Sequence, residues 1–202
     1  MNQTIGRLRQ VICNSINLKQ KIMEDEHLLQ NIVSVCFVII GALKKGNRII
    51  FAGNGGSAAD AQHLAAEFVT RFEFERPGLP ALSLATDTSM LTAIGNDYGY
   101  DKLFLRQLQA QARSGDVFIG ITTSGRSSNI LTAFDGCRDL GITSIALCGK
   151  GGELEHQVDH VIRVPSLHTH RIQECHILIG HLICAEVETQ LFGHLAAVSE
   201  AL

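Results

Sequence analysis

Over residues 3–45 the apolar positions return every three or four places. Leu8, Val11, Ile12, Ile16, Leu18 and Ile22 are one such series, the spacing of a helix with an apolar stripe. It predicts two helices, broken near Glu24–Glu26 and ended at Lys44-Lys45-Gly46, where basic residues followed by glycine suit a helix C-terminus. Beyond Gly46 the texture changes. Short, continuous apolar runs alternate with helix-period stretches. The strand candidates are RIIFAG (48–53), ALSLA (81–85), DVFIGI (116–121), TSIALCG (143–149) and HVIRVP (160–165). Helices are expected near 57–72, 87–93, 101–113, 127–139 and 152–157, with a long final one over about 170–192. Unbroken apolar strands separated by helices predict an α/β fold, a parallel sheet covered on both faces. No repeat, low-complexity tract or linker interrupts the 202 residues. They read as one domain, with N-terminal helices over 1–45 on an α/β core over 46–202.

Composition sharpens this picture at a few points. Charged residues are 18 % of the chain and apolar ones 46 %. So little charge implies surface covered by other subunits, or simply a large core. The net charge of −3 makes no electrostatic case for nucleic acid. Six Lys/Arg against three Asp/Glu over residues 1–45 is a mild excess, suited to a solvated helix face. The six cysteines form no CxxC pair and mostly sit in apolar runs, as in a reduced, cytoplasmic protein. No signal-peptide pattern opens the chain. The longest apolar run, IVSVCFVIIGAL (32–43), is too short to cross a bilayer and contains Ser34. Neither nucleic acid nor membrane is an expected partner.

Two strand-to-helix junctions carry the candidate chemistry. In AGNGGSAAD (52–60), glycines allow close backbone approach, and Ser57 is placed to cap a helix whose free N–H groups favour an anion. The motif lacks a Walker lysine and is not GxGxxG, and a structural tight turn is the plainer reading. In GITTSGRSSNIL (120–131), Thr122, Thr123, Ser124, Ser127 and Ser128 crowd one turn. Capping needs one or two hydroxyls; five suit a neutral phosphate cradle. Two such turns favour a sugar phosphate over a nucleotide.

His63 and Glu67 follow the first turn at i and i+4, on one helix face among small and apolar neighbours. Such a carboxyl is partly desolvated and suited to proton transfer; an ordinary solvent-facing pair is the alternative. In the last helix, RIQECHILIGHLICAEVE (171–188), Gln173, Glu174, His176 and His181 interrupt an apolar pattern. Gln173 and His181 are eight residues apart, about 12 Å along the helix, so one small site uses both only if it lies between them or spans two subunits. HxxxE plus His181 would suit zinc, although glutamine is a poor zinc ligand.

Taken together, FAGNGGSAADAQHLAAEF (51–68), RPGLPALSLATDTSMLTAIGNDYGY (76–100), GDVFIGITTSGRSSNIL (115–131) and RIQECHILIGHLICAEVE resemble the phosphoheptose isomerases, of the sugar-isomerase (SIS) domain superfamily. The likeness runs over almost the whole chain. It implies a three-layer sandwich with a five-stranded parallel sheet, and a cytoplasmic homotetramer with active sites at subunit contacts, its N-terminal helices used in assembly. It implies conversion of sedoheptulose 7-phosphate to D-glycero-D-manno-heptose 7-phosphate through an enediol, for lipopolysaccharide heptose.

By motif position, Asn54, Gly55, Gly56, Asn96, Asp97 and Gln173 would touch the sugar. Ser57, Thr122, Ser124 and Ser127 would hold phosphate, with Thr123 lending its backbone. Glu67 and His181 would be the acid/base pair, and His63, Glu67, Gln173 and His181 the ligands of a zinc ion that some members carry; no nucleotide or redox cofactor is implied. His170 stands where some members have an acidic residue. The rival reading is a non-catalytic SIS-domain protein that binds the bacterial replication initiator; such relatives lack the counterparts of Glu67 and His181.

Overall fold

The computed structural model describes residues 2–199. Two helices open the chain, α1 (Asn2–Glu24) and α2 (Glu26–Lys44). The break between them is the cap of the second, since the Asp25 carboxylate accepts from Leu28 N at 3.0 Å. There follow β1 (Ile49–Gly53), α3 (Gly56–Val69), β2 (Ala81–Ser83) and α4 (Thr88–Asp97). A 3₁₀ turn (Tyr100–Lys102) leads into α5 (Leu103–Gln111), β3 (Val117–Thr122) and α6 (Ser128–Leu140). The chain continues through β4 (Thr143–Cys148) and β5 (His160–Arg163) to α7 (Thr169–Ser199).

The strands form one parallel sheet in the order β2-β1-β3-β4-β5. Every residue of β1 and β3 is buried, because helices cover both faces. Alternate β1 side chains feed opposite layers. Ile49 and Phe51 join α1, α2, α3 and α7 in one core, while Ile50 and Ala52 join α4, α5 and α6 in the other. This is the three-layer α/β sandwich expected.

The helix expected at 152–157 is absent. The chain makes turns there, because its glycines are held against the β3–α6 loop. Gly152 has φ +76°, and a Cβ on it would sit 2.5 Å from the Gly125 carbonyl oxygen. Arg163 ties the segment down by donating to Gly149 O at 2.8 Å and Gly151 O at 2.9 Å.

By length and composition α2, with 19 residues and a mean hydropathy of 1.6, is long and apolar enough to cross a membrane, although the shorter run at 32–43 suggested otherwise. Ile32, Val35, Cys36 and Ile39 nevertheless sit in the same core as α7 and the sheet. Five cysteines are buried and Cys13 is exposed. Burial pushes the Cys36, Cys137 and Cys184 thiols up to about 12, which keeps them protonated and inert.

Candidate active site

The strand order turns back on itself between β1 and β3, and in such sheets ligands bind beyond the carboxyl ends at the reversal. The two motif-bearing loops leave the sheet there, with Gly53 paired beside Ile121. The Asn54 and Asn129 amides lock the loops together by two reciprocal hydrogen bonds of 2.9 Å. Tyr100 adds a third bond, donating its hydroxyl to Asn54 Oδ1 at 2.8 Å. Asn129 is 1 % exposed, so the pair is held rigidly at the junction of the two loops.

The helices entering at this point, like α5, have no side-chain cap. Asp25 caps α2 and Asp87 caps α4, each through its side chain. At α3 the cap is Gly55, with φ +56°, and at α6 it is Ser127; neither makes a side-chain cap bond. Ser57 therefore does not cap α3 as expected. It lies inside the first turn, 3 % exposed, because Gly55 takes the positive φ that ends the loop. Two helix N-termini without side-chain caps leave adjacent strands here, a placement that favours an anion.

Two hydroxyls of the second loop meet, and a third closes a local turn. Thr122 Oγ1 lies 3.2 Å from Ser127 Oγ, and Ser124 Oγ accepts from Arg126 N at 3.1 Å. Ser128 instead donates to Asp101. Asn96 and Asp97 close α4, both exposed, and bond each other at 2.8 Å. Among the described residues they share no hydrogen bond with Asn54 or the histidines.

The second half of the site comes from α3 and α7, which run parallel. A Cβ on Gly56 would sit 2.5 Å from Gln173 Nε2, and one on Gly180 would sit 2.5 Å from Leu64 Cδ2. With that register His63 meets His181: their Nε2 atoms are 2.9 Å apart and their rings 5.1 Å. His63 Nε2 is also 3.3 Å from Glu67 Oε1. At 23 % exposure, the Glu67 side chain is neither sealed nor free in solvent. Gln173 reaches the site from one end, against Gly56, and makes no hydrogen bond to the other three among the described residues. His170 is exposed at the start of α7, its ring 6.1 Å from that of His168.

The donor chemistry of His63, Glu67 and His181 fits zinc, since two imidazoles and a carboxylate are a known catalytic set. Tetrahedral ligands about 2.0–2.1 Å from zinc stand about 3.3 Å apart, close to the 2.9 and 3.3 Å separations here. As packed, the imidazoles share a hydrogen bond rather than spread as a cage, and no group of three or more His, Cys, Asp or Glu among the described residues is poised as one.

Sequence reasoning missed several residues. Asp60 lies one turn before His63; its Oδ2 is buried without a partner, and burial pushes its carboxyl up to about 6, against the pull of His63. Phe72 lays its ring 5.2 Å from that of His181. Tyr100 and Asn129 were in view within the recognised motifs, but nothing in the pattern distinguishes them as partners of Asn54.

A model of the SIS domain matches residues 13–149. The phosphoheptose isomerase of Aneurinibacillus thermoaerophilus is 58 % identical over 182 residues, 90 % of this chain and 92 % of that one. Phosphoheptose isomerase 2 of Campylobacter jejuni is also 58 % identical, over 89 % of this chain and 90 % of its own. The chain belongs to the phosphoheptose isomerase family of SIS domain proteins. Its fold is that of the family: the phosphoheptose isomerase of Neisseria gonorrhoeae superposes with a TM-score of 0.86 at 39 % identity, covering 92 % of this chain and 99 % of that one. The same-named enzyme of Francisella tularensis gives 0.87 at 35 %, covering 92 % and 98 %.

Proposed function

We propose that the protein isomerises sedoheptulose 7-phosphate to D-glycero-D-manno-heptose 7-phosphate, the step that feeds heptose into lipopolysaccharide. The observation that carries this reading is the chain of contacts from Glu67 through His63 to His181, on the helix that leaves the first glycine-rich loop. An aldose–ketose isomerase needs an anion cradle and, within reach of the adjacent sugar carbons, a base and a proton carrier.

Ser57, Thr122, Ser124 and Ser127 hold the phosphate, with the Thr123 backbone and the N-termini of α3 and α6. Asn54, Gly55, Gly56, Asn96, Asp97 and Gln173 orient the open-chain sugar. The Glu67 carboxylate takes the proton from C1, and the electron pair moves through a cis-enediolate onto the C2 oxygen. His181 carries the hydroxyl proton from O1 to O2, and Glu67 returns its proton to C2. His63 Nε2, within 3.3 Å of Glu67 and 2.9 Å of His181, keeps both groups in place. A zinc ion would be held by His63, Glu67, Gln173 and His181, and would supply Lewis-acid polarisation of the sugar oxygens.

Assembly as a homotetramer is part of the same reading. Leu8, Ile12, Ile16 and Met23 on α1, with Val33 and Phe37 on α2, stay exposed in the single chain, a face suited to burial between subunits. A cytoplasmic location is part of the same reading, in keeping with six cysteines that are all free. The initiator-binding alternative has less support, since both residues absent from such relatives are present here.

The test is Glu67→Gln, assayed for aldose phosphate formed from sedoheptulose 7-phosphate, with the metal content of parent and variant measured alongside. The variant is expected to bind the sugar phosphate yet lose turnover by at least about two to four decades. Parent-level turnover refutes the assignment of the base.

A further inference from the structure

Glu188 lies on α7 two turns beyond His181, outside the chemistry above, and pairs with Arg76 from the loop that follows α3. Their side chains are 1 % and 2 % exposed. Glu188 Oε1 accepts from Arg76 Nε at 2.9 Å and Phe72 N at 2.8 Å, and Oε2 accepts from Glu73 N at 2.7 Å. Burial alone would raise the Glu188 carboxyl, but these donors hold it below the usual carboxylate range. The remaining guanidinium donors turn back onto the end of α3 and the loop beyond it. Nη2 donates to Glu67 O at 2.9 Å, and Nη1 to Phe68 O at 2.7 Å and to Thr70 O and Pro77 O at 3.1 Å. The last carbonyls of a helix lack intrahelical partners, and a cation is favoured at that end.

Stability alone gives little reason for ions here, because apolar residues of similar volume often replace a buried ion pair without loss. An apolar pair cannot bond two loop N–H groups and the end of α3 at the same time. Those bonds reach the reacting groups from both sides. Glu67 is gripped by its own carbonyl. Phe72, gripped by its N–H, sets its ring against His181. Glu188 and His181, seven residues apart, project from nearly the same side of α7.

We infer that Arg76 and Glu188 are positioning residues, which fix the Glu67 carboxyl against the His181 imidazole by clamping the end of α3 to α7. This rests on the reading of Glu67 and His181 as the acid/base pair. The experiment is steady-state kinetics of Arg76→Met/Glu188→Leu, which removes both charges and strands neither. Its melting point should lie above that of Arg76→Met alone, which leaves the Glu188 charge buried and unpaired. Its kcat should fall about 10- to 100-fold, the effect of misplacing a reacting group by about 1 Å. Its KM for sedoheptulose 7-phosphate should change by less than about threefold, because the phosphate loops leave β1 and β3.

A folded double variant with parental kcat overturns the inference, as does a loss carried wholly by KM. Arg76→Lys keeps the charge but not the fork and should show a smaller fall in kcat. It decides the question if the double variant does not fold, parental kcat again overturning the inference. Glu67→Gln, run beside them, separates the two readings. An active Glu67→Gln breaks the acid/base assignment, whereas an inactive one beside a fully active double variant breaks only the clamp.

Discussion

Lowering the pH should unfold this protein partly through one histidine remote from solvent. His176 on α7 is fully buried, and neither ring nitrogen has a hydrogen-bond partner. The Cys148 backbone approaches the ring and favours its protonation, without the alignment of a full hydrogen bond. Burial dominates and lowers the imidazole from its ordinary 6.5 to about 4. The unfolded chain therefore binds a proton as pH falls through 6.5, while the folded chain refuses it until about 4. The stabilisation is complete above the upper value and is lost between the two. At about 1.4 kcal/mol per pH unit, moving from about pH 7 to about pH 4.5 costs about 2 kcal/mol. His176→Leu, of similar volume, removes this loss. Urea unfolding followed by circular dichroism at both pH values, at one protein concentration because association shifts midpoints, measures it. The parent should lose about 2 kcal/mol more than the variant. Asp60 acts with the opposite sign, since its raised carboxyl favours the fold at low pH, and it cancels because both proteins carry it. Equal losses in parent and variant refute the reasoning.

The remaining predictions concern the two loops. In Gly53→Ala the new Cβ would lie 2.4 Å from the Ser57 carbonyl oxygen. Backbone must move, so a loss of about 1–3 kcal/mol in thermal or urea melts is expected, with a higher KM for the sugar phosphate. Asn129→Ala leaves the Asn54 amide without the partner that holds the loops together. It should cost about 1–3 kcal/mol and raise KM more than it lowers kcat; an unchanged KM would mean that the amide pair does not shape the cleft.

Much of the site was legible because it is built from local runs. The glycines of 53–56, the hydroxyls of 122–128 and the i, i+4 spacing of His63 and Glu67 are visible within single turns. All five strands fell where continuous apolar runs were found. The misplaced features depend on distant partners. Residues 152–157 have helical texture but take their shape from Gly125 and Arg163. Ser57 has the chemistry of a cap, yet the φ of Gly55 makes the cap elsewhere. The pairing of Arg76 with Glu188 spans 112 positions, and nothing in either neighbourhood announces the other.

Hydrophobic period and turn chemistry alone determined the alternation of strand and helix, the parallel sheet and the glycine- and hydroxyl-rich loops. Each is settled by residues within one turn or one pleat of each other. Only the tertiary structure decided that α3 and α7 run parallel in the register that sets His63 and Glu67 beside His181, and that an amide pair joins the loops. Those contacts join residues far apart in the chain, and their geometry is set by how whole helices pack on the sheet, which no local pattern specifies.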